Sequence, residues 1–340
     1  MMLAAAFLAG LALALALTPL GIRLARALGY LDHPEARKLH SSATALLGGV
    51  VVFVAALAAW IGVSLALHRP AHSGGVYLFA GALVALLLGL WDDRFGMRPE
   101  LKLLGQAAAG GALLASGCVP DLGLPFPIEV ALALVAIIAL MNAVNFLDNM
   151  NGMVGGLAAL TLAAFAWDSA GRGSVGLAAA QLALAGACAG FLPYNFPRAR
   201  IFLGDAGSLL LGYSLAASAM LAFSASPRGW GRAGPMLILA YPAFDLVFVV
   251  VTRLRDGRKV YAGGKDHTTH RLASVLRCPK KTVLLLWLSG AALCVSGLVV
   301  LKLNRPLPTL LLSGLWTMFL VWLGMRLSSV PVPPRPPGSV

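Results

Sequence analysis

Long apolar runs, separated by short polar segments, recur along the whole of this 340-residue chain. Several runs are about 17 residues long, the shorter end of what a helix needs to cross a bilayer. The pattern predicts an all-α, polytopic integral membrane protein with about 11 transmembrane helices. The predicted segments are about 3–20, 45–67, 75–91, 103–118, 128–144, 152–167, 175–192, 206–224, 234–252, 282–301 and 307–324.

The amino-acid composition argues against a separate soluble domain. Hydrophobic residues make up 59% of the chain and charged residues 11%, whereas soluble domains carry about 25% charged residues. We therefore predict one membrane domain, residues 1–326, followed by a Pro-rich tail, residues 327–340, that we expect to be disordered. The first apolar run lacks a basic segment before it, which indicates a retained first helix rather than a cleaved signal.

The distribution of charge predicts the orientation. With the N-terminus outside and the C-terminus in the cytoplasm, 20 of the 26 Lys and Arg residues lie on the inner side, as the positive-inside rule requires. That rule says little about acids, yet ten of the 13 Asp and Glu residues also lie on the inner side. A cytoplasmic active site is the cause that we predict for this second bias.

Two adjacent carboxylates, Asp92 and Asp93, directly follow the third apolar run. Neighbouring carboxylates repel each other, so such a pair persists where a cation or a functional proton relieves the repulsion. The alternative is a solvated helix end, paired with Arg94 or Arg98. Consecutive helical residues point about 100° apart, and we therefore expect the two acids to have different tasks.

A second motif, "MNAVNFLDNMNGMVGG", carries a polar residue at every third position. On a helix these residues form a stripe of carboxylate and amide oxygens, the ligands that Mg²⁺ prefers. The stripe would also suit a base or a sugar, and the alternative is an amide-rich seam between helices. Its members are Asn142, Asn145, Asp148 and Asn151.

Two further motifs lie on the predicted inner side. In "FLGDAGS", Asp205 follows a glycine at the start of an apolar run, where an acid could bind a cation or simply cap a helix. The segment 253–281 carries nine basic residues with His267 and His270. Phosphate and sugar recognition fits this loop, and lipid headgroup binding by an ordinary positive-inside loop is its alternative.

Together these motifs resemble the polyprenyl-phosphate N-acetylhexosamine-1-phosphate transferases, glycosyltransferase family 4. The resemblance runs in order through "DHPEARKLH", "WDDRFG", "NAVNFLDNMNG", "FLGDAGS" and "DHTTHRL". It implies a multi-spanning enzyme of the inner (plasma) membrane that moves a sugar phosphate from a UDP-sugar to polyprenyl phosphate. The last motif is similar to the undecaprenyl-phosphate N-acetylglucosaminyl 1-phosphate transferase type, with a cell-envelope glycan as the downstream product.

The resemblance also implies roles, partners and a cofactor. Mg²⁺ is the expected cofactor, for which Mn²⁺ could substitute. The expected partners are a UDP-N-acetylhexosamine, the lipid and the membrane, with a homodimer allowed and no nucleic acid. The implied roles are catalysis by Asp92 and Asp93, metal binding by Asp205, Asn145 and Asp148, nucleotide-sugar binding by Asn142, Asn151, Asn195, His267, His270 and Arg271, and lipid-phosphate binding by Lys38 and Lys102.

The chain departs from the family pattern at two positions. Asn149 and Asn151 stand where the family often has Gly and Asp, and an amide at 151 cannot supply charge. An inactive homologue is therefore one alternative. The others are the transferase for the peptide-bearing cell-wall precursor and a secondary transporter, which would place its acids near the bilayer midplane.

Overall fold

The apolar runs form helices because a chain in lipid must satisfy its backbone polar groups within each segment. The computed structural model describes residues 1–32, 43–68, 73–259, 264 and 266–331. These ranges contain 13 α-helices. They are α1 (Met2–Ala27), α2 (Gly48–Ala66), α3 (Ser73–Phe95), α4 (Pro99–Ala115), α5 (Phe126–Leu147), α6 (Met153–Gly171), α7 (Val175–Asn195), α8 (Gly204–Ala225), α9 (Ala233–Ile238), α10 (Ala240–Arg255), α11 (Thr268–Leu276), α12 (Pro279–Leu303) and α13 (Pro306–Ser328).

Each of the eleven predicted segments is helical, and the predicted all-α membrane architecture is confirmed. Within the described residues, nine helices are long and apolar enough to cross a membrane. The helices α9 and α10, with the 3-10 turn Trp230–Arg232 before them, form a pair bent by 68° that counts as a tenth, broken span. The remaining predicted segment is α4, which has 17 residues. The short helix α11 belongs to the basic loop and was not predicted.

Two short strands tie the loop before α2 to the start of α8. Strand β1 (Leu31–Asp32) pairs antiparallel with β2 (Thr44–Ala45). A parallel bridge then joins Ala45 to Ile201, and the backbone N–H of Gly49 donates to the carbonyl of Leu203. These bonds hold the first polar loop against the segment that leads into α8.

The helix α8 lies at the centre of the bundle. It packs against α2, α3, α5 and α6, and every residue from Ala206 to Ala219 is buried. The helix α13 lies at the periphery, because only Thr309 and Leu327 are buried along its length. Its exposed Leu, Met and Trp side chains form an apolar surface, as suits a helix in lipid.

The end of α13 lies close to the predicted boundary between membrane domain and tail. Leu327, the first residue of the predicted tail, is buried, and the helix continues to Ser328. Residues 332–340 of the predicted tail lie outside the described residues.

Candidate active site

The adjacent carboxylates at the end of α3 meet the beginning of α8. The two oxygens of Asp93 accept the backbone N–H groups of Asp205, at 2.8 Å, and of Ala206, at 3.0 Å. The first N–H groups of a helix have no partner within the helix. A carboxylate from a distant helix therefore caps α8 and places Asp205 directly beside the Asp92–Asp93 pair.

Glycine makes this meeting possible at two positions. Gly204 has a φ of +73°, and a Cβ atom there would lie 2.7 Å from Oδ2 of Asp93. Gly89, one turn before the acid pair on α3, would place a Cβ atom 2.4 Å from the backbone of Ala206. Neither position tolerates a side chain without moving α3 and α8 apart.

Lys102, from α4, joins the carboxylates of two helices. Its Nζ lies 2.7 Å from Oδ2 of Asp92 and 2.8 Å from Oδ2 of Asp205, and it donates to Oδ1 of Asn145 at 3.3 Å. Asn145 in turn donates to Oδ1 of Asp205 and to Oγ of Ser208, both at 2.8 Å. Four helices, α3, α4, α5 and α8, thus share one polar network.

This network forms one wall of a cavity of about 1080 Å³, at the upper end of the range for ligand pockets. All the residues that line it come from segments that the sequence places on the inner side, together with the helix ends beside them. The polar lining residues are Asp32, Thr44, Asp92, Asp93, Asn145, Asp148, Asn149, Asn151, Asn195, Arg198, Asp205, His270 and Lys280.

The acidic wall has the chemistry of a cation site. Four carboxylates line this wall, Asp92, Asp93, Asp148 and Asp205. Among the described residues, Lys102 forms ion pairs with two of them, Asp92 and Asp205. Burial, followed by the negative charges of Asp205 and Asp93, raises the pKa of Asp148 to about 8. A bound cation would favour the charged form of Asp148 and lower its pKa again.

The donor set fits Mg²⁺ better than a cation that needs a closed cage. Within the described ranges, no three His, Cys, Asp or Glu side chains form a metal-binding group. Mg²⁺ keeps several waters and is commonly held by one or two carboxylates and by substrate phosphates. Asp205 and Asp148 could supply such carboxylates, whereas the oxygen of Asn145 faces Lys102.

The loop between α5 and α6 lies on the cavity and is held by Asn195. Its Oδ1 accepts the backbone N–H of Gly152 at 2.7 Å, and its Nδ2 donates to the carbonyl of Ile201 at 2.9 Å. Asn195 is 5% exposed, so both ends of its amide are used within the protein. Its predicted role as a nucleotide-sugar ligand stays a prediction beside this positioning contact.

The segment 266–271 places one of its three predicted ligands in the cavity. His270 lines the cavity. The Nδ1 atom of His267 lies 2.9 Å from Oδ2 of Asp245, in a buried pair. Arg271 is buried and donates to the carbonyls of Leu327, Ser328 and Val330 at the end of α13, so its guanidinium anchors the last helix.

Two other predicted ligands lie elsewhere. Asn142 exchanges hydrogen bonds with Gln106 of α4, at 2.8 and 3.3 Å, and does not line the cavity. It forms an amide seam between helices, the alternative that the stripe left open. Lys38 lies outside the described residues.

Sequence reasoning assigned no role to several residues that shape the site. Asp245 is 1% exposed and accepts both the backbone N–H and the hydroxyl of Thr268, which holds the start of α11. Asp266 forms a buried ion pair with Arg253 at 2.8 Å. An acid within the apolar run of α10 was the available signal for Asp245, because such acids are costly to insert.

The fold and the site together define a multi-pass membrane protein with a large, one-sided acidic cavity. The model of glycosyl transferase family 4 matches residues 76–223, which run from α3 into α8 and contribute most of the acidic wall.

Three curated proteins are similar over most of the chain. The decaprenyl-phosphate N-acetylglucosaminephosphotransferase of Mycobacterium tuberculosis (strain ATCC 25618 / H37Rv) is 33% identical over 78% of this chain and 74% of its own. The "Probable undecaprenyl-phosphate N-acetylglucosaminyl 1-phosphate transferase" of Bacillus subtilis (strain 168) is 28% identical, covering 87% and 84%. The undecaprenyl-phosphate alpha-N-acetylglucosaminyl 1-phosphate transferase of Escherichia coli (strain K12) is 27% identical, covering 82% and 78%.

The chain therefore belongs to glycosyl transferase family 4, and the resemblance drawn from its motifs is confirmed. It is a membrane glycosyl-phosphate transferase.

Proposed function

We propose that this protein transfers N-acetylglucosamine 1-phosphate from its UDP-sugar to polyprenyl phosphate, at the cytoplasmic face of the membrane. The products are a lipid-pyrophosphate-sugar and UMP. The observation that carries this proposal is that Asp92 and Asp205 line one cavity at the helix ends and are joined there by ion pairs to Lys102. The names of the similar proteins favour N-acetylglucosamine over the peptide-bearing donor.

The reaction joins two anions, which sets the requirements for the site. An oxygen of the lipid phosphate forms a bond to the β-phosphorus of the donor, and the bond from that phosphorus to the oxygen shared with the α-phosphate breaks, releasing UMP. Asp205 and Asp148 would hold Mg²⁺, which when bound offsets phosphate repulsion and stabilises charge on the pyrophosphate. Lys102 supplies a fixed positive charge beside Asp205 and Asp92.

The two adjacent acids suit different tasks in this reaction. Asp93 is engaged with the backbone of α8 and thereby positions Asp205. Asp92 faces Lys102 and the cavity, so we assign to it the contact with the acceptor. It would remove the remaining proton of the lipid phosphate, or else attack the donor to form a covalent intermediate. Trapping of radioactive sugar phosphate on the protein without lipid distinguishes these routes.

The positions of the acidic residues argue against a transporter. A transporter that couples to ions would place its acids near the bilayer midplane, whereas Asp92 and Asp93 lie in the last turn of α3 and Asp205 lies in the first turn of α8. The acids therefore belong to the helix ends, where a soluble donor and a lipid phosphate can meet.

The test is transfer of radioactive sugar phosphate into lipid by the purified protein in membranes, with Mg²⁺. We expect a lipid-linked product from UDP-N-acetylglucosamine and none from the peptide-bearing precursor. The absence of product with every UDP-N-acetylhexosamine would refute the proposed function. Substrate counterflow in proteoliposomes without a lipid product would favour the transporter.

A further inference from the structure

The two amides that depart from the family pattern, Asn149 and Asn151, each contact a different segment beside the cavity. Both belong to the loop between α5 and α6, and both line the cavity. A glycine at 149 has no side chain, and an aspartate at 151 has no hydrogen-bond donor when ionised. The contacts described below are therefore specific to the residues of this chain.

Asn149 links its loop to α11. Its Oδ1 accepts the hydroxyl of Thr269 at 2.7 Å, while its Nδ2 donates to the carbonyl of Phe146 at 2.8 Å. Because the carbonyl of Phe146 accepts a hydrogen bond, the Nδ2 atom of Asn149 must face it, and Oδ1 therefore faces Thr269. Thr269 is 0% exposed and directly precedes His270, which lines the cavity. The link thus reaches the segment that places His270.

Asn151 links the same loop to the segment between α7 and α8. Its Nδ2 donates to the carbonyl of Pro197 at 3.1 Å, and Pro197 and Arg198 line the cavity. A carboxylate at 151 would lie beside that carbonyl as a second acceptor, without a proton to share. The amide therefore makes a bond that the usual Asp cannot make.

Charge gives a second reason for amides at these positions. Five acidic residues, Asp32, Asp92, Asp93, Asp148 and Asp205, already line this cavity. Another acid at 151 would add to their repulsion. Asn149 and Asn151 supply the two links without adding charge.

We propose that Asn149 and Asn151 are positioning residues that hold the α5–α6 loop against α11 and against the segment at Pro197, so that the donor site is formed before the donor enters. A site formed in advance loses less conformational freedom on binding and binds more tightly. The identity of the donor rests on the proposed function, whereas the two links do not depend on it. On this view, Asn151 is no mark of an inactive homologue.

The first test needs no substrate. Hydrogen exchange of the full chain in lipid nanodiscs is compared between wild type, Asn149→Ala and Asn151→Asp. We expect exchange to rise about 3- to 10-fold in residues 268–276 for Asn149→Ala and in residues 196–203 for Asn151→Asp, since each loses one hydrogen bond. The matched control is Asn304→Ala, which removes an amide contact to the backbone N–H of Gly231 far from the cavity.

Unchanged exchange in both segments would overturn the proposal. So would an equal rise in both segments for the Asn304→Ala control, because the effect would then be general loosening. This result is decisive even if the wild-type protein transfers no sugar phosphate, a failure that would refute only the proposed function.

The second test is a double-mutant cycle in the transfer assay. Asn149→Ala and Thr269→Val should each raise the KM for the donor about 3- to 10-fold, with kcat changed by less than about 2-fold. The double variant should be no worse than the poorer single variant, because both remove one bond. Thr269→Ser keeps the hydroxyl and should retain the wild-type KM. Independent, multiplying effects would overturn the link between the two residues.

The Asn151→Asp variant tests the second link against the family pattern. We expect it to raise the donor KM about 3- to 10-fold, since it loses a bond and adds a like charge. A lower KM, or a higher kcat, would show that the family's Asp serves this cavity better and would overturn the role of Asn151.

Discussion

The acidic residues at the two ends of this helical bundle have different partners. At the cavity end, Asp92 and Asp205 share Lys102, and burial raises the pKa of Asp148 to about 8. At the other end, Asp168 pairs with Arg172 at 2.8 Å, and hydrogen bonds from Arg228 lower the pKa of Asp121. The acids of the two ends thus differ in number and also in the groups that balance their charge.

This difference separates the acids that are satisfied within the protein from those that are not. The acids of the far end have one basic partner each or, as for Glu129, backbone N–H partners at 2.6 and 3.2 Å. Those contacts satisfy the carboxylates within the protein. At the cavity end, the described residues give Asp92 and Asp205 one shared basic partner and place no basic side chain within ion-pair distance of Asp93 or Asp148. Such an arrangement persists where a ligand or cation completes it.

The largest effect is expected at Asp205, where both the network and the cavity meet. Asp205→Ala removes the carboxylate that Lys102 and Asn145 hold, and transfer should fall by at least about 10²-fold. The measurement is incorporation of labelled sugar phosphate into lipid. Asp168→Ala, at the far end, should retain activity, and normal turnover by Asp205→Ala would refute the metal assignment.

Lys102→Met tests whether the cavity end depends on a single shared cation. The change leaves Asp92 and Asp205 to repel each other, so the thermal midpoint without metal should fall by roughly 2–6 °C. Mg²⁺ should then raise the midpoint of the variant more than that of the wild type, because it replaces the lost charge. Lys302→Met, at the exposed far end of α12, serves as the control. An equal response to Mg²⁺ in both proteins would contradict this role.

Separate changes of the adjacent acids sharpen the comparison within the cavity end. Asp93→Asn weakens the cap of α8 and should cost about 1–2 kcal/mol of stability as well as turnover. Asp92→Asn should lower turnover and leave the thermal midpoint nearly unchanged. Parallel unfolding and transfer measurements check this, and indistinguishable losses would count against a division of work.

The smallest effect is expected for Asp121→Asn. This residue pairs with Arg228 in an exposed ion pair, and such pairs contribute little. Transfer and thermal midpoint should both stay within the scatter of the wild-type measurements. A clear loss of transfer would show that the far end takes part in function and would remove the contrast between the two ends.

Much of the fold followed from the sequence because its signals are local. A helix in lipid satisfies its own backbone, so the eleven apolar runs predicted helices without knowledge of their neighbours. The break between α9 and α10 and the short helix α11 were not predicted. The start of α11 depends on a contact that is distant in sequence, because Thr268 donates its backbone N–H and its hydroxyl to Asp245. The helix α4 was predicted as a transmembrane helix, but with 17 residues it is at the short end of the length that a helix needs to cross a bilayer.

The class of protein, its family and the polar residues of the site could be predicted from the order of amino acids, because apolar length and motif spacing are properties of the chain itself. How those residues divide their work depends on how the helices pack. Lys102, Asp92 and Asp205 come from three helices and meet through side-chain distances, while Arg271, in the same motif as His270, turns to the end of α13. Hydrogen bonds between distant segments depend on direction and distance in space, and these are decided only when the helices pack.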